Sequence, residues 1–361
     1  MKNKTALIIT LYGNYNFGNK LQNYGMVFVL EKMGFSAHTA NVVYRYRSHY
    51  KNMKSFCKRL LIRVSAPKAD REREQKFSKF SNKYLKTTQK PYSTNAAKPI
   101  EKYDCLIYGS DQIWNPTCFG DSNLFLGYLG DKNKNIAYAA SFGISALPQN
   151  LQDRYRKGLN NFQSISVREE QGAKIIRQLD NNKSAEVVID PTLLLTREEW
   201  ISIEKMPKDF HCKNYILIYF LGAMDENIRN VIYCSAQEYG LEIIDIMAKD
   251  SPYYAIGPEE FLYLAQNAAL VCTDSFHSCV FSFIFDTPFL VFDRIGVENM
   301  SSRMDTFLRK FRLEDRKFSG EIQQEHFMHD YTLGYSILEW ERKKSRCFLE
   351  QSLGLNSMEG N

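Results

Sequence analysis

One stretch, Ala269-Leu-Val-Cys-Thr-Asp-Ser-Phe-His-Ser-Cys-Val-Phe-Ser-Phe-Ile-Phe-Asp-Thr-Pro-Phe-Leu-Val-Phe292, leaves few folds open to this chain. The apolar run Ala269 to Cys272 suits a buried parallel strand. A polar knot of Thr273, Asp274, Ser275, His277 and Ser278 follows, then an apolar run of helical length, Val280 to Phe285, stopped by Pro288. Phe289 to Phe292 closes the unit as a second strand. Strand, turn, helix, strand puts the polar knot at the carboxyl end of a strand, where open α/β sheets bind ligands. Free N–H groups at the helix start favour anions. Asp274 and Ser275 serve equally well as plain helix caps, and His277 as a half-buried packing residue.

The same alternation runs through the rest. Ala6 to Leu11 reads as a first strand, and Tyr12 to Tyr24 as a Gly- and Asn-rich turn entering a helix that ends at Gly34. Ala37 to Val43 reads as the next strand. Gly13 and Gly18 do not make the GxGxxG fingerprint of dinucleotide binders. The amides of Asn14, Asn19 and Gln22 suit hydroxyl or carboxylate hydrogen bonding, and also suit a plain turn. Cys105 to Tyr108, Asn135 to Ser141, Ser164 to Val167 and Glu186 to Ile189 are further strands. Gly109-Ser110-Asp111 turns the first of these so that Asp111 and Gln112 point into a cleft. Arg168 stands at another strand end, suited to a planar anion or to a neighbouring Glu.

After a polar linker, strands restart at Tyr215 to Leu221 and Leu241 to Met247. A length of 361 residues allows two domains. The expectation is an α/β chain with two Rossmann-like domains facing across a cleft: residues 1–195, residues 196–330, and a helical tail over 331–361.

Charge is uneven. Residues 44–90 hold 15 Lys and Arg against three acids, a net +12, while the whole chain is +6, so the remainder is net negative. Nucleic acid is therefore not an expected partner. Phe56, Leu60, Leu61 and Val64 share one helical face, as do Phe77, Phe80 and Tyr84, with a break at Pro67. The basic faces read as solvated surface, or as a contact for anionic lipid or a diphosphate-bearing substrate. The eight cysteines contain no CxxC and several lie in apolar runs, which points away from a metal site or disulfides. The Ala6 to Leu11 run is too short for a signal peptide, and no stretch reaches membrane-span length, so a reduced cytoplasmic protein is expected.

Gly13-Asn-Tyr-Asn-Phe-Gly-Asn-Lys-Leu-Gln-Asn-Tyr24, Tyr108-Gly-Ser-Asp-Gln-Ile-Trp-Asn115, Tyr138-Ala-Ala-Ser-Phe-Gly143, Ser166-Val-Arg-Glu169, Asp190-Pro-Thr192 and Thr273-Asp-Ser-Phe-His277 occur in this order. In that order they resemble the polysaccharide pyruvyl transferase family, over about residue 6 to about residue 310. The resemblance implies a fold similar to GT-B glycosyltransferases. It implies transfer of pyruvate from phosphoenolpyruvate to a sugar of a bacterial surface polysaccharide, leaving a ketal. No cofactor or metal is implied. The acceptor would be carried on a polyprenyl diphosphate at the inner membrane leaflet, which gives the segment 44–90 a purpose. Laid on these residues, His277 is the candidate general acid, Asp111 the group that takes or orients the hydroxyl proton, and Arg168 a cation for the donor. Asn14, Asn19, Gln22, Ser110, Gln112, Ser275 and Arg303 are the candidate substrate-binding residues. Two departures stand out: Asn19, Lys20 and Gln22 replace acidic residues frequent in the family's first motif, and Ser278 replaces a glycine common after the His. A nucleotide-sugar glycosyltransferase and a non-catalytic glycan-binding protein of the same fold are the competing readings.

Overall fold

A computed structural model describes residues 4–11, 13, 16–42, 67–92, 100–119, 123–295 and 301–355. Among the described residues ten strands form two sheets, and every pairing between these strands is parallel. In the first lobe these are β1 (Lys4–Ile9), β2 (Phe35–Thr39), β3 (Cys105–Tyr108), β4 (Asn135–Ala140), β5 (Ser164–Val167) and β6 (Glu186–Val187), in the order β2-β1-β3-β4-β5-β6. The second sheet holds β7 (Tyr215–Tyr219), β8 (Glu242–Asp245), β9 (Leu270–Thr273) and β10 (Phe289–Val291), in the order β10-β9-β7-β8. The helices are α1 (Phe17–Lys32), α2 (Lys68–Tyr84), α3 (Pro116–Phe119), α4 (Gln149–Leu159), α5 (Glu170–Leu179), α6 (Pro191–Leu194), α7 (Arg197–Ile201), α8 (Glu226–Glu238), α9 (Pro258–Gln266), α10 (Phe276–Phe285), α11 (Ser301–Phe311) and α12 (Thr332–Ser352).

Strand order reverses between β1 and β3 in one sheet and between β7 and β9 in the other. Such reversals open a crevice at the carboxyl ends of the strands. Thr10 and Ser110 stand at the first reversal, Leu221 and Asp274 at the second. The fold is thus the expected pair of Rossmann-like units.

Alternation along each strand sorts side chains between cores. Leu7 and Ile9 enter one outer core, and Ile216 and Ile218 another. Ala6, Ile8, Leu217 and Tyr219 enter a central core shared by both lobes. Its focus is Phe17, stacked on Phe261 with centroids 4.7 Å apart and edge-on to Tyr219 at 5.4 Å. α12 then crosses back to the first lobe: Ile189 N–H donates to Ser345 Oγ (3.1 Å), Lys344 Nζ to the Val187 carbonyl (2.8 Å), and Arg342 Nε to the Leu193 carbonyl (2.7 Å).

Several expectations are corrected. β2 spans Phe35–Thr39, not Ala37 to Val43, because Gly34 at φ +86° ends α1 and releases the chain directly into the strand. α10 begins at Phe276, four residues before the expected apolar run, since the polar His277 and Ser278 are themselves buried in it. Ser275 holds the N-cap position of α10 but makes no side-chain cap bond, and Asp274 does not cap the helix: it accepts from Leu221 N–H (2.7 Å) and Gly222 N–H (2.8 Å) instead.

Of the basic segment, residues 44–66 lie outside the described residues, including the face of Phe56, Leu60, Leu61 and Val64. The described part agrees with a solvated basic face, since Lys68, Arg71, Lys79, Lys83, Lys86 and Lys90 are exposed, while its apolar side is covered. α2 docks on the second lobe through Lys76 to Glu260 (2.7 Å) and Lys83 to Glu259 (3.8 Å). Arg73 is buried, donating to the carbonyls of Ile246 (2.9 Å) and Tyr254 (2.6 Å) over the Phe17 ring. Among the described residues no helix is long and apolar enough to cross a membrane.

Candidate active site

The two strand-order reversals face each other, and the sequence-predicted residues gather between them. On the first lobe, α1 is tied to the β3 turn by Gln22. Its Nε2 donates to Thr10 Oγ1 (2.9 Å) and its Oε1 accepts from Ser110 N–H (3.2 Å). Ser110 Oγ in turn lies 2.9 Å from Asp190 Oδ2. Gly109, at φ +124°, allows this turn: a Cβ there would meet the Tyr138 carbonyl oxygen at 2.1 Å.

A chain of alternating charges runs from Asp190 across the lobes. Arg168, fixed at the end of β5, donates from Nη1 to Asp190 Oδ2 (2.5 Å) and from Nη2 to Asp111 Oδ1 (3.3 Å). Asp111 also faces Arg303 Nη1 of the second lobe at 3.4 Å. The Gln112 amide, with its oxygen turned to Arg303, accepts from both terminal nitrogens at 2.8 Å. Phe276 carries the chain across: Arg168 lies 4.5 Å and Arg303 5.8 Å from its ring centroid.

The electrostatics follow from this pairing. Burial pushes the Asp190 carboxyl up, but Arg168, His277 and the Thr192 N–H more than reverse it, and it ends far below the usual carboxylate range. Asp111 also ends below that range, burial being outweighed by Arg168, His277 and Arg303. Arg303 moves the other way: burial and the neighbouring Arg168 bring its guanidinium down to about 10. Of the two site arginines, Arg303 is thus the less compensated by carboxylate, and the one a substrate anion would relieve more.

His277 is buried on the first turn of α10, with Nε2 3.6 Å from Asp190 Oδ2. A pocket with about 280 Å³ of empty space, counted to its open mouth, adjoins the network between Arg168, Asp190, Phe276, Arg303 and Lys310. His277 Nε2, Ser278 Oγ and Arg168 Nε are buried without a hydrogen-bond partner. Buried polar atoms in native proteins are seldom left so, except where a ligand or water completes them. Among the described residues no cluster of three or more His, Cys, Asp or Glu side chains could hold a metal ion.

The structure therefore brings together His277, Asp111, Arg168, Arg303, Ser110, Gln112 and Gln22. Ser275 is buried directly before α10, and Asn19 is half-buried on the first turn of α1, its N–H accepted by Asn16 Oδ1 (3.3 Å). Asn14 lies outside the described residues. Sequence reasoning missed Asp190 as a site residue, although it had marked Asp190-Pro-Thr192 as a strand end; the carboxylate there was the signal. It also missed Arg294, which pairs with Asp274 (Nε to Oδ2, 2.8 Å) and follows β10 as Arg168 follows β5.

The polysaccharide pyruvyl transferase family model matches residues 16–295, so the chain belongs to that family. Membership places it among enzymes of polysaccharide pyruvylation. No curated protein sequence matches it. Among solved structures it is similar to a putative UDP-N-acetylglucosamine 2-epimerase from Listeria monocytogenes, at 10% identity and TM-score 0.50 over 97% of this chain and 91% of that one. The UDP-N-acetylglucosamine 2-epimerase from Rickettsia bellii is similar at 11% identity and TM-score 0.49, over 98% and 97%. MurG of Acinetobacter baumannii is similar at 10% and 0.39, over 99% and 100%. At 10% identity the likeness to the Listeria structure is one of fold: two Rossmann-like domains in the GT-B manner.

Proposed function

We propose that the chain moves the pyruvyl group of phosphoenolpyruvate onto a sugar of a polyprenyl-diphosphate-linked polysaccharide precursor, forming a cyclic ketal and releasing phosphate. The observation that carries this reading is the convergence of an imidazole from the second lobe with guanidinium groups from both lobes, at the meeting of the two strand-order reversals.

Phosphoenolpyruvate carries a carboxylate and a phosphate on three carbons. Arg303 and the first-turn N–H groups of α10, with Ser275 and Ser278 beside them, suit those two anions. His277 gives a proton to the methylene carbon, leaving an oxocarbenium-like centre. One sugar hydroxyl oxygen bonds to that central carbon. The bond to the phosphate oxygen then breaks, and a second hydroxyl closes the ketal. Of the two hydroxyl protons, one restores His277 and the other leaves on phosphate. Asp111, held anionic between two guanidiniums, orients a hydroxyl and does not take its proton, since an effective base has a pKa near the working pH. Phosphoenolpyruvate serves as donor substrate and no cofactor is needed. The first lobe would take the acceptor, the second the donor.

The test is incubation with phosphoenolpyruvate and lipid-linked sugars, following phosphate release and the mass of the acceptor. Acceptor-dependent phosphate release with ketal formation supports the reading. Thermal stabilisation by nucleotide sugars alone, without phosphoenolpyruvate turnover, would transfer the site to a glycosyltransferase. Binding of glycan with no turnover of either donor would make it a binding protein.

A further inference from the structure

His277 belongs to the second lobe, yet groups of the first lobe flank its ring. At one edge, a Cβ added to Gly18 of α1 would lie 2.1 Å from Nδ1 and 2.4 Å from Cγ. At the other, Asp190 Oδ2 stands 3.6 Å from Nε2, which is buried and makes no hydrogen bond. Asp190 itself cannot turn away. Its Oδ1 accepts from Thr192 N–H (3.0 Å) and Thr192 Oγ1 (2.8 Å), and its Oδ2 lies 2.5 Å from Arg168 Nη1 and 2.9 Å from Ser110 Oγ. Its side chain is fully buried. A carboxylate so fixed behind an imidazole nitrogen decides the ring's tautomer and orientation. Polar contacts of this kind are often long without substrate and tighten when it binds.

We infer that Asp190 is the positioning residue for His277, and that Nδ1, over the bare backbone of Gly18, is the nitrogen that meets substrate; the chemistry this serves rests on the pyruvyl-transfer reading. Gly18 does not have a positive φ, so what it contributes is space and not backbone freedom. The imidazolium releases its Nδ1 proton to the methylene carbon. The neutral ring that remains keeps its proton on Nε2, facing Asp190. A proton from the acceptor hydroxyl then returns to Nδ1. Because the carboxylate and the ring come from different lobes, the acid is assembled only with the lobes in contact.

The experiment is a long-range proton–nitrogen correlation on the full chain with labelled histidine, His277→Gln identifying the resonance, at a pH where the ring is neutral. The Nε2–H tautomer is expected in the unliganded protein. Asp190→Asn should mix the tautomers and lower kcat by about 10²- to 10⁴-fold, the range for a lost carboxylate behind a catalytic imidazole. KM for phosphoenolpyruvate should change by less than about threefold, as for a group acting through another in the transition state. Gly18→Ala should lower kcat as well, because its Cβ would overlap the His277 ring and displace it from Asp190. An Nδ1–H tautomer in the wild-type protein overturns the inference, and needs no variant to fold. Wild-type tautomer and turnover in a folded Asp190→Asn protein overturn it too. The tautomer is read without donor, so a chain found to use another donor refutes the pyruvyl-transfer reading and not this one.

Discussion

Arg303 and Arg168 are the same side chain in two different electrostatic positions. Arg168 has two carboxylates, at 2.5 and 3.3 Å. Removing it would leave Asp190 buried without a guanidinium and Asp111 with Arg303 alone, a loss of about 3–5 kcal/mol for a broken buried pair. Arg168→Met is therefore expected to lower the melting temperature sharply before any effect on donor affinity can be read. Arg303→Met should instead leave a folded protein whose KM for phosphoenolpyruvate rises about 10- to 100-fold, as for a lost charged hydrogen bond. Equal melting temperatures for Arg168→Met and wild type would reverse this division. His277→Ala should cut turnover by about two to four orders of magnitude with the fold intact; undiminished turnover removes it from the chemistry. The carboxylates also set an acid limit. Both Asp111 and Asp190 have folded-state values below their unfolded ones, so their contribution is complete above the ordinary carboxylate value of about 4 and is lost as pH falls below it. Thermal melts between about pH 5 and about pH 1 should show this loss, and Asp111→Asn should make it shallower.

At the scale of elements, α1 is the part that places the site. Gly18 and Gly25, seven residues apart, lie on one face of it. A Cβ at Gly25 would meet the Pro191 carbonyl oxygen at 2.7 Å, so α1 sits against the turn that carries Asp190. Gly25→Ala should cost about 1–3 kcal/mol by overpacking, measured by chemical denaturation, with turnover falling as Asp190 shifts. An unchanged midpoint would show that the turn can give way freely. Much of this was legible beforehand. Hydrophobic runs and turn residues marked the strands, and the polar residues at strand ends marked the site, because parallel sheets place ligands there. What could not be read was pairing between distant elements. Asp190 looked like a strand terminator because its partners, Ser110, Arg168 and His277, are 80, 22 and 87 residues away in the chain. Arg73 looked like surface for the same reason: a charge run shows its own composition, not the carbonyls of Ile246 and Tyr254 that accept it.

At the scale of the whole molecule, the lobes share a core, and this bears on how the chain unfolds. Phe17 leaves α1 and enters a ring cluster with Phe77, Tyr219 and Phe261, drawn from α2 and the second lobe. Arg73 covers the same ring, with its guanidinium 4.9 Å from the Phe17 centroid. On the opposite side, α12 pins the second lobe's end to β6 and α6 of the first. Neither lobe can lose its structure without exposing this joint surface. Calorimetry should therefore show one cooperative transition for both sheets, with calorimetric and van't Hoff enthalpies in agreement. Phe17→Ala removes the ring at the centre and should cost about 3–5 kcal/mol, the range for a buried aromatic truncated to alanine. Its more telling effect would be on shape. If the shared core is what couples the lobes, the transition in Phe17→Ala should broaden or split while each sheet keeps its own outer core. Two resolved transitions in the wild-type protein would mean that the joint contributes little, and that the contact between Asp190 and His277 is held by the crevice alone.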